Sequence, residues 1–283
     1  MNRRNFIVGT ASIPVLASAQ LAGADSRPGF HLGCVTYNLL KDADLETIIR
    51  LLETTGFEGV ELRTGHKHGV EPSLGKEERA RVRQLFSRSK VQLVSFGTTC
   101  EFHSPDPAER NRQVEIGKQF IQLARDTGAK GIKVRPNGLP GGVSTETTIQ
   151  HIAGSLRELG DAGRSNGISV WMEVHGPKTS NPQIAAAIMR ATNHPQVGLC
   201  WNSNPEDVIG GSVKKNFELL KPWVRHAHIN ELANDYPWRE LFALMREAGY
   251  GGFTLAEVAE SSDTERFLSW YKALWTELNR SCA

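Results

Sequence analysis

Side chains that can transfer protons or bind metals alternate with apolar residues at two places in the sequence. Glu173 and His175 flank a valine, and His226, His228 and Asn230 follow the same spacing. Side chains two residues apart on a β-strand point to the same face. A carboxylate beside an imidazole on one face can act as an acid–base pair or bind a metal ion.

Two further polar residues, Asn202 and Glu257, interrupt or end apolar runs. Burying a carboxylate in such a run is costly unless a cation or metal compensates it. With Glu173 and His228 these residues would supply two carboxylates, an amide oxygen and an imidazole. That oxygen-rich set suits Mn²⁺, Mg²⁺ or Co²⁺ better than a structural zinc ion, so the sequence predicts a divalent metal site.

The elements that must position these groups form a repeating pattern of short apolar runs and longer amphipathic segments. The predicted strands are 31–38, 59–63, 92–98, 131–135, 169–175, 197–202, 224–230 and 252–258. The predicted helices are 45–55, 77–89, 110–127, 147–165, 182–192, 213–220, 238–248 and 264–279.

Glycines just after four of these helices are placed to end them in the left-handed conformation: Gly56, Gly128, Gly167 and Gly249. Eight strand–helix units over residues 28–280 predict a single (β/α)8 barrel. A doubly wound open sheet is the alternative, but it would usually have a glycine-rich turn after its first strand. The sequence there is Thr36–Leu40, without glycine.

In such a barrel the functional residues lie at the carboxyl ends of the strands. Other charged, imidazole and aromatic residues near those ends are therefore predicted to contact a substrate. They are Glu61, Glu101, Lys133, Arg135, His175 and Trp201. The alternative for the charged members is that they pair with one another, and for Trp201 that it packs in the core.

The order Glu173, Asn202, His228, Glu257 at the ends of the last four strands resembles the xylose isomerase-like sugar isomerase/epimerase superfamily. The resemblance covers roughly residues 28–280 and is strongest around these four positions. It implies that the four residues hold a divalent metal. It also implies that Glu173 and Glu257 exchange a carbon-bound proton of a sugar through an enediolate.

The sequence departs from the superfamily pattern, which usually has Asp at position 202 and His three residues later, where Pro205 stands. An asparagine still offers a carbonyl oxygen, but it removes one negative charge from the ligand set. We therefore expect weaker metal retention, with Asn204 or Asp207 as possible substitute ligands.

The predicted function is a metal-dependent isomerase or epimerase of an unphosphorylated sugar or keto-sugar. The same enediolate could instead expel a leaving group, which would make the protein a lyase or dehydratase of a 3-keto sugar or glycoside. A third reading is a sugar-binding barrel without catalysis. A nuclease, which the superfamily also contains, would need more metal ligands and a basic face.

Residues 1–24 have the layout of an export signal, with Arg3 and Arg4 before an apolar stretch and small residues at its end. They predict twin-arginine export to the periplasm and no stable membrane insertion after cleavage. Lys and Arg total 33 and Asp and Glu total 31, a net charge of +2 that argues against a nucleic-acid partner. The sequence leaves an oligomer possible.

Overall fold

The computed structural model describes residues 29–280, and the eight strands in it form one closed parallel barrel in the order β1 to β8. The strands are β1 (His31–Asn38), β2 (Gly59–Arg63), β3 (Gln92–Glu101), β4 (Gly131–Arg135), β5 (Ser169–Glu173), β6 (Val197–Asn202), β7 (Val224–Ile229) and β8 (Phe253–Val258). β1 pairs with β8 and closes the ring. The predicted single (β/α)8 barrel is confirmed.

Each strand is followed by an α-helix on the outside of the barrel. The helices are α1 (Leu45–Thr55), α2 (Lys76–Ser87), α3 (Pro107–Thr127), α4 (Thr145–Asn166), α5 (Pro182–Thr192), α6 (Lys214–Leu220), α7 (Trp238–Glu247) and α8 (Thr264–Asn279). A short 3-10 turn, Pro205–Asp207, precedes α6. Strand-to-helix connections of this kind place all eight carboxyl ends at one rim of the barrel.

Local sequence signals set several of the helix ends. The side chain of Asp44 accepts the amide of Thr47 at the start of α1, and Ser144 does the same for α4. Gly56, Gly128 and Gly167 end their helices with φ values of 72°, 90° and 69°, and Gly249, the residue after the C-cap of α7, has a φ of 67°. The predicted left-handed glycines are therefore confirmed, because a residue without a Cβ adopts this conformation at little cost.

The core has two parts, as alternation along the strands requires. One small cluster fills the inside of the barrel and contains Val35, Val94, Trp171, Cys200 and Leu255. The larger cluster lies between the sheet and the helices.

Three predicted strand ends differ from the structure near the carboxyl rim. β3 continues to Glu101, three residues further than predicted, β5 ends at Glu173, two residues earlier, and β7 ends at Ile229, one residue earlier. His175 therefore lies in the loop after β5 and not on the strand face of Glu173.

None of the helices between residues 29 and 280 is both long and apolar enough to cross a membrane. The predicted export signal, residues 1–24, lies outside the described residues.

Candidate active site

A cavity of about 420 Å³ opens at the rim formed by the carboxyl ends of the strands. Its lining combines cationic, acidic and amide side chains with one aromatic ring. The lining residues are Tyr37, Asn38, Arg63, Lys133, Arg135, Glu173, His175, Asn202, Asn204, Glu257, Val258 and Ala259. Six of the predicted site residues therefore lie in one cavity: Lys133, Arg135, Glu173, His175, Asn202 and Glu257.

Glu173, His228 and Glu257 form a cluster of three potential metal ligands. His228 Nδ1 lies 3.6 Å from Glu173 Oε1 and 3.4 Å from Glu257 Oε2. One ligand atom from each residue lies within 4.8 Å of the others. A divalent ion with bonds of about 2.1 Å holds its ligand atoms roughly 3–4 Å apart, so these separations are close to what an ion requires.

The imidazole of His228 supports the same assignment. Its side chain is 1% exposed, and neither ring nitrogen makes a hydrogen bond to any residue within 29–280. Buried polar atoms are normally hydrogen-bonded, so such a ring requires an explanation. A cation between His228 Nδ1 and the two carboxylates would satisfy Nδ1, and the donor set therefore fits a divalent metal.

Lys133 contacts this cluster directly. Its Nζ lies 2.7 Å from Glu173 Oε2, and both side chains are buried. Burial by itself would raise the pKa of Glu173, but the Lys133 ammonium and His228 outweigh it and hold that pKa below its usual value. Lys133 leaves the other oxygen of Glu173 facing His228.

Glu61 lies beneath the cluster and not in the cavity. Its carboxylate is fully buried, accepts a hydrogen bond from Ser95 Oγ at 2.7 Å, and lies 3.0 Å from His226 Nε2 and 3.2 Å from His228 Nε2. The prediction that Glu61 contacts substrate is therefore corrected. Glu61 lies two residues before the end of β2, so its side chain contacts His228 and does not line the cavity above it.

His226 is held in the same buried layer. Its ring stacks on Trp171 at a centroid distance of 4.3 Å, and its Nε2 is engaged by Glu61. Burial lowers its pKa more than Glu61 raises it. His226 therefore packs behind His228.

The end of β6 places Asn202 in the cavity, and the segment after it places Asn204 there and turns Asp207 away. Asn202 Nδ2 points to Val174 O at 3.5 Å, which leaves its carbonyl oxygen available. Asp207 accepts hydrogen bonds from the Asn204 amide and the Tyr236 hydroxyl. Asp207 is thus engaged elsewhere and does not substitute as a ligand, contrary to that expectation.

Glu101 and Arg135 pair with each other, which is the structural alternative considered for strand-end charges. Arg135 Nη2 lies 2.5 Å from Glu101 Oε1, and only Arg135 lines the cavity. His175 Nδ1 lies 2.9 Å from Asn137 Oδ1, and burial lowers the pKa of His175. Its uncharged ring can therefore form a neutral hydrogen bond at the cavity wall.

Trp201 is placed on the other face of β6 and does not line the cavity. Its ring is fully buried against Phe217, and its Nε1 donates to the Tyr236 hydroxyl. Because successive side chains on a strand point to opposite faces, the orientation of Asn202 towards the cavity sends Trp201 into the outer core. The prediction that it stacks on a sugar is corrected.

Sequence reasoning missed Tyr37 and Arg63, which lie at the ends of β1 and β2. The Arg63 guanidinium carbon lies 5.2 Å from the centre of the Tyr37 ring. The position of Arg63 at a strand end could have identified it as a site residue. Its stacking on Tyr37 depends on the pairing of β1 and β2, which the sequence pattern does not show.

Two other features of the described residues resemble binding sites. A larger cavity of about 640 Å³ lies beside the start of α1, but Glu173, Glu257 and Lys133 do not line it. Cys200, His226 and His228 also lie within 4.8 Å of one another. Burial raises the pKa of the Cys200 thiol to about 11, which opposes the thiolate that a metal would need.

The fold and this cluster define a (β/α)8 barrel with an acid–histidine site at its carboxyl rim. The xylose isomerase-like TIM barrel family matches residues 49–274, and the chain belongs to that family. Proteins named as isomerases, epimerases and a dehydratase are among those similar to this chain.

Curated relatives are matched over only part of their length. A human protein named "Putative hydroxypyruvate isomerase" is 25% identical over 137 residues, which cover 45% of this chain and 49% of the relative. A protein of the same name from Xenopus laevis is 22% identical over 171 residues, or 54% and 62% of the two chains. The chain thus spans about half to three-fifths of the length of these relatives.

Solved structures match nearly the whole barrel. A structure of an IolI protein with a bound zinc atom has a TM-score of 0.74 at 14% identity, covering 88% of this chain and 98% of the other. The 3-keto-D-glucoside 4-epimerase YcjR from E. coli has a TM-score of 0.72 at 13% identity, covering 88% and 99%. D-Psicose 3-epimerase from Clostridium cellulolyticum, solved with D-tagatose, has a TM-score of 0.70 at 13% identity, covering 88% and 96%. At these identities the likeness establishes the fold.

Proposed function

We propose that this protein is a metal-dependent isomerase or epimerase of an unphosphorylated sugar or keto-sugar. The observation that carries the proposal is the cluster of Glu173, His228 and Glu257 at the inner end of the rim cavity. The predicted export signal supports an unphosphorylated substrate, because phosphorylated metabolites are scarce outside the cytoplasm.

Glu173, His228 and Glu257 would hold the metal, with the carbonyl oxygen of Asn202 as a fourth ligand. Mn²⁺, Mg²⁺ or Co²⁺ in this position would polarise a substrate carbonyl and its neighbouring hydroxyl, which makes the intervening C–H more acidic. The remaining steps belong to side chains of the chain itself.

Glu257 is the better placed of the two glutamates to take a proton from carbon. Its side chain is 24% exposed and lines the cavity, whereas Glu173 is 2% exposed and has one oxygen bonded to Lys133. A carboxylate that faces the substrate can remove the proton and generate an enediolate. Return of the proton to the same carbon from the side of Glu173 would invert that centre, and return to the neighbouring carbon would isomerise the sugar.

Lys133 would hold Glu173 in place, and His175 would form a hydrogen bond with a substrate oxygen. The Lys133 ammonium keeps Glu173 ionised and fixes its orientation at 2.7 Å. His175, with its pKa lowered by burial, remains a neutral hydrogen-bonding group on the cavity wall. Both residues line the cavity together with Asn204.

A lyase or dehydratase of a 3-keto sugar or glycoside is the second candidate. The structure of a probable 3-DHS dehydratase from Bacillus anthracis matches 88% of this chain with a TM-score of 0.68 at 12% identity. Elimination begins with the same removal of a carbon-bound proton, and it differs only in that the electron pair then expels a β-substituent. The products therefore separate the two reactions.

The experiment is proton exchange in D₂O. The purified chain would be loaded with Mn²⁺, Mg²⁺ or Co²⁺ and incubated with free ketoses, aldoses and 3-keto glucosides, and NMR would report carbon-bound deuterium and products. We expect metal-dependent deuterium incorporation that is lost in Glu257→Gln. A new stereoisomer would identify an epimerase, a new carbonyl position an isomerase, and an unsaturated product a lyase.

Glu260→Gln is the matched control. Glu260 lies three residues after Glu257, is exposed, pairs with Lys41 and does not line the site cavity. Deuterium exchange should therefore be retained in Glu260→Gln. Sugar binding with bound metal but no exchange on any substrate would contradict the enzyme and favour a sugar-binding barrel.

A further inference from the structure

We propose that the substrate of this cavity is a sugar acid whose carboxylate is bound by Arg63. This inference rests on the proposed function for the assignment of the cavity as the substrate site. It names a substrate class that differs from neutral sugars by one negative charge.

Three lysine and arginine side chains line the cavity: Arg63, Lys133 and Arg135. Two of them form ion pairs with glutamates. Lys133 pairs with Glu173 at 2.7 Å, and Arg135 pairs with Glu101 at 2.5 Å. The guanidinium of Arg63 has no carboxylate within 4.0 Å among residues 29–280. Within the described lining it is the one cation without an acidic partner.

Arg63 is also held in place before any ligand binds. Its Nη1 donates to Thr64 O at 3.1 Å, its main-chain amide donates to Thr36 Oγ1 at 3.0 Å, and its guanidinium lies over the Tyr37 ring. A guanidinium has five N–H donors, and Arg63 uses only one of them in this way. An immobilised arginine loses little side-chain entropy on binding, which favours a planar anion such as carboxylate.

The imidazole of His66, near Arg63, does not add positive charge. Burial first, and then the charge of Arg63, lower the pKa of His66 to about 4. This ring is therefore neutral at pH 7. The uncommitted charge on this wall is the single charge of Arg63, which matches one carboxylate better than a phosphate dianion.

The placement of Arg63 fits a bifunctional substrate. Arg63 ends β2, whereas Glu257 lies near the end of β8, and β1 separates the two strands. Neighbouring strands lie about 4.8 Å apart, so the two residues start roughly 10 Å apart along the barrel wall. One end of a sugar acid can then contact Glu257 while its carboxylate contacts Arg63.

The test compares matched acids and neutral sugars by isothermal titration calorimetry with the full chain in the presence of Mn²⁺. The pairs are D-fructuronate with D-fructose and D-glucuronate with D-glucose, and D-fructose 6-phosphate is the phosphate arm. We expect at least one uronate to bind roughly 10- to 100-fold more tightly than its neutral partner, the range of a charge-assisted hydrogen bond. In Arg63→Met this preference should disappear, and in Arg63→Lys it should be partly retained.

Arg50→Met is the matched control, since Arg50 is an exposed arginine on α1 that pairs with Glu265 and does not line the cavity. Near-ultraviolet circular dichroism would verify that each variant keeps its tertiary packing.

Four outcomes would each overturn the proposal. They are equal binding of acids and neutral sugars, an acid preference that survives in Arg63→Met, tighter Arg63-dependent binding of the phosphate, and failure of both uronates to bind. Deuterium exchange on neutral sugars alone would retain the proposed function and reject the sugar acid. Arg63-dependent uronate binding without exchange would support the sugar acid as ligand and reject the proposed catalytic function.

Discussion

Lys133 Nζ lies 2.7 Å from Glu173 Oε2, and the two side chains are 7% and 2% exposed. The ammonium of a buried lysine thus contacts a residue that we propose as a metal ligand. Together with an asparagine at position 202, it makes this site less negative than one with three carboxylates and no lysine. The Lys133 ammonium and the uncharged Asn202 should each lower the affinity of the site for a divalent metal.

Replacing Lys133 with methionine should strengthen metal binding. The substitution keeps an aliphatic chain but removes a positive charge that repels a divalent cation and competes for Glu173. We expect the Mn²⁺ dissociation constant to fall by about 10-fold or more, since charges a few ångströms apart in a protein interact by several kcal/mol. Electron paramagnetic resonance of free Mn²⁺ would measure it.

The same variant should be less stable without metal, because it leaves Glu173 buried without its partner, a change that costs about 3–5 kcal/mol in other buried pairs. Added Mn²⁺ should restore much of that loss. Lys118→Met is the control, since Lys118 bonds two glutamates on the surface. Unchanged or weaker Mn²⁺ binding in Lys133→Met would contradict the competition.

Metal binding should depend on both glutamates of the cluster. Glu173→Gln and Glu257→Gln each replace a charged ligand with a neutral amide, so we expect each to weaken Mn²⁺ binding by more than about 10-fold. Equilibrium dialysis followed by metal analysis would measure this. Wild-type metal content in both variants would reject the site.

The contribution of Asp207 to the stability of the protein should fall as the pH rises from about 4 to about 7. Burial, partly offset by hydrogen bonds from Tyr236 and Asn204, raises the pKa of Asp207 from 3.8 to about 7. The folded state therefore retains a proton that the unfolded state has released, and ionisation above pH 7 costs up to roughly 4 kcal/mol. Urea unfolding at several pH values would measure the free energy of unfolding.

In Asp207→Asn this part of the pH dependence should disappear, because the amide does not titrate. Asp161→Asn, at an exposed carboxylate, is the control and should keep it. A stability profile of Asp207→Asn that matches the wild type between pH 4 and 7 would show that Asp207 does not titrate in this range.

Gly33→Ala should destabilise the barrel by about 1–3 kcal/mol, the usual cost of forcing an extra methyl group into a packed core. A Cβ at Gly33 would lie 2.7 Å from the carbonyl oxygen of Gly59 on the paired strand and would also contact Leu255. Gly141→Ala, where a Cβ meets nothing within 4 Å, is the matched control. Thermal unfolding would compare them, and equal stability of the two variants would show that β1 and β2 can separate to admit the methyl group.

The sequence by itself determined the barrel, and it predicted which strand ends carry the candidate site residues. Period-two apolar runs, period-3.6 helices and the glycines that end them are local signals, because each depends on the residues within one element. Glu173 and Glu257 were detectable for the same reason, since a carboxylate in an apolar strand needs a partner wherever that strand lies.

Only the tertiary structure decided which partners these residues have. Lys133 meets Glu173 because β4 and β5 are neighbours in the closed ring, and Glu61 meets His228 across the barrel interior, 167 positions along the chain. Trp201 and Asn202 are adjacent in sequence yet lie in the outer core and in the cavity, because the pleat and the strand register assign the faces. Charge neutralisation and burial are properties of such contacts, and sequence patterns do not contain them.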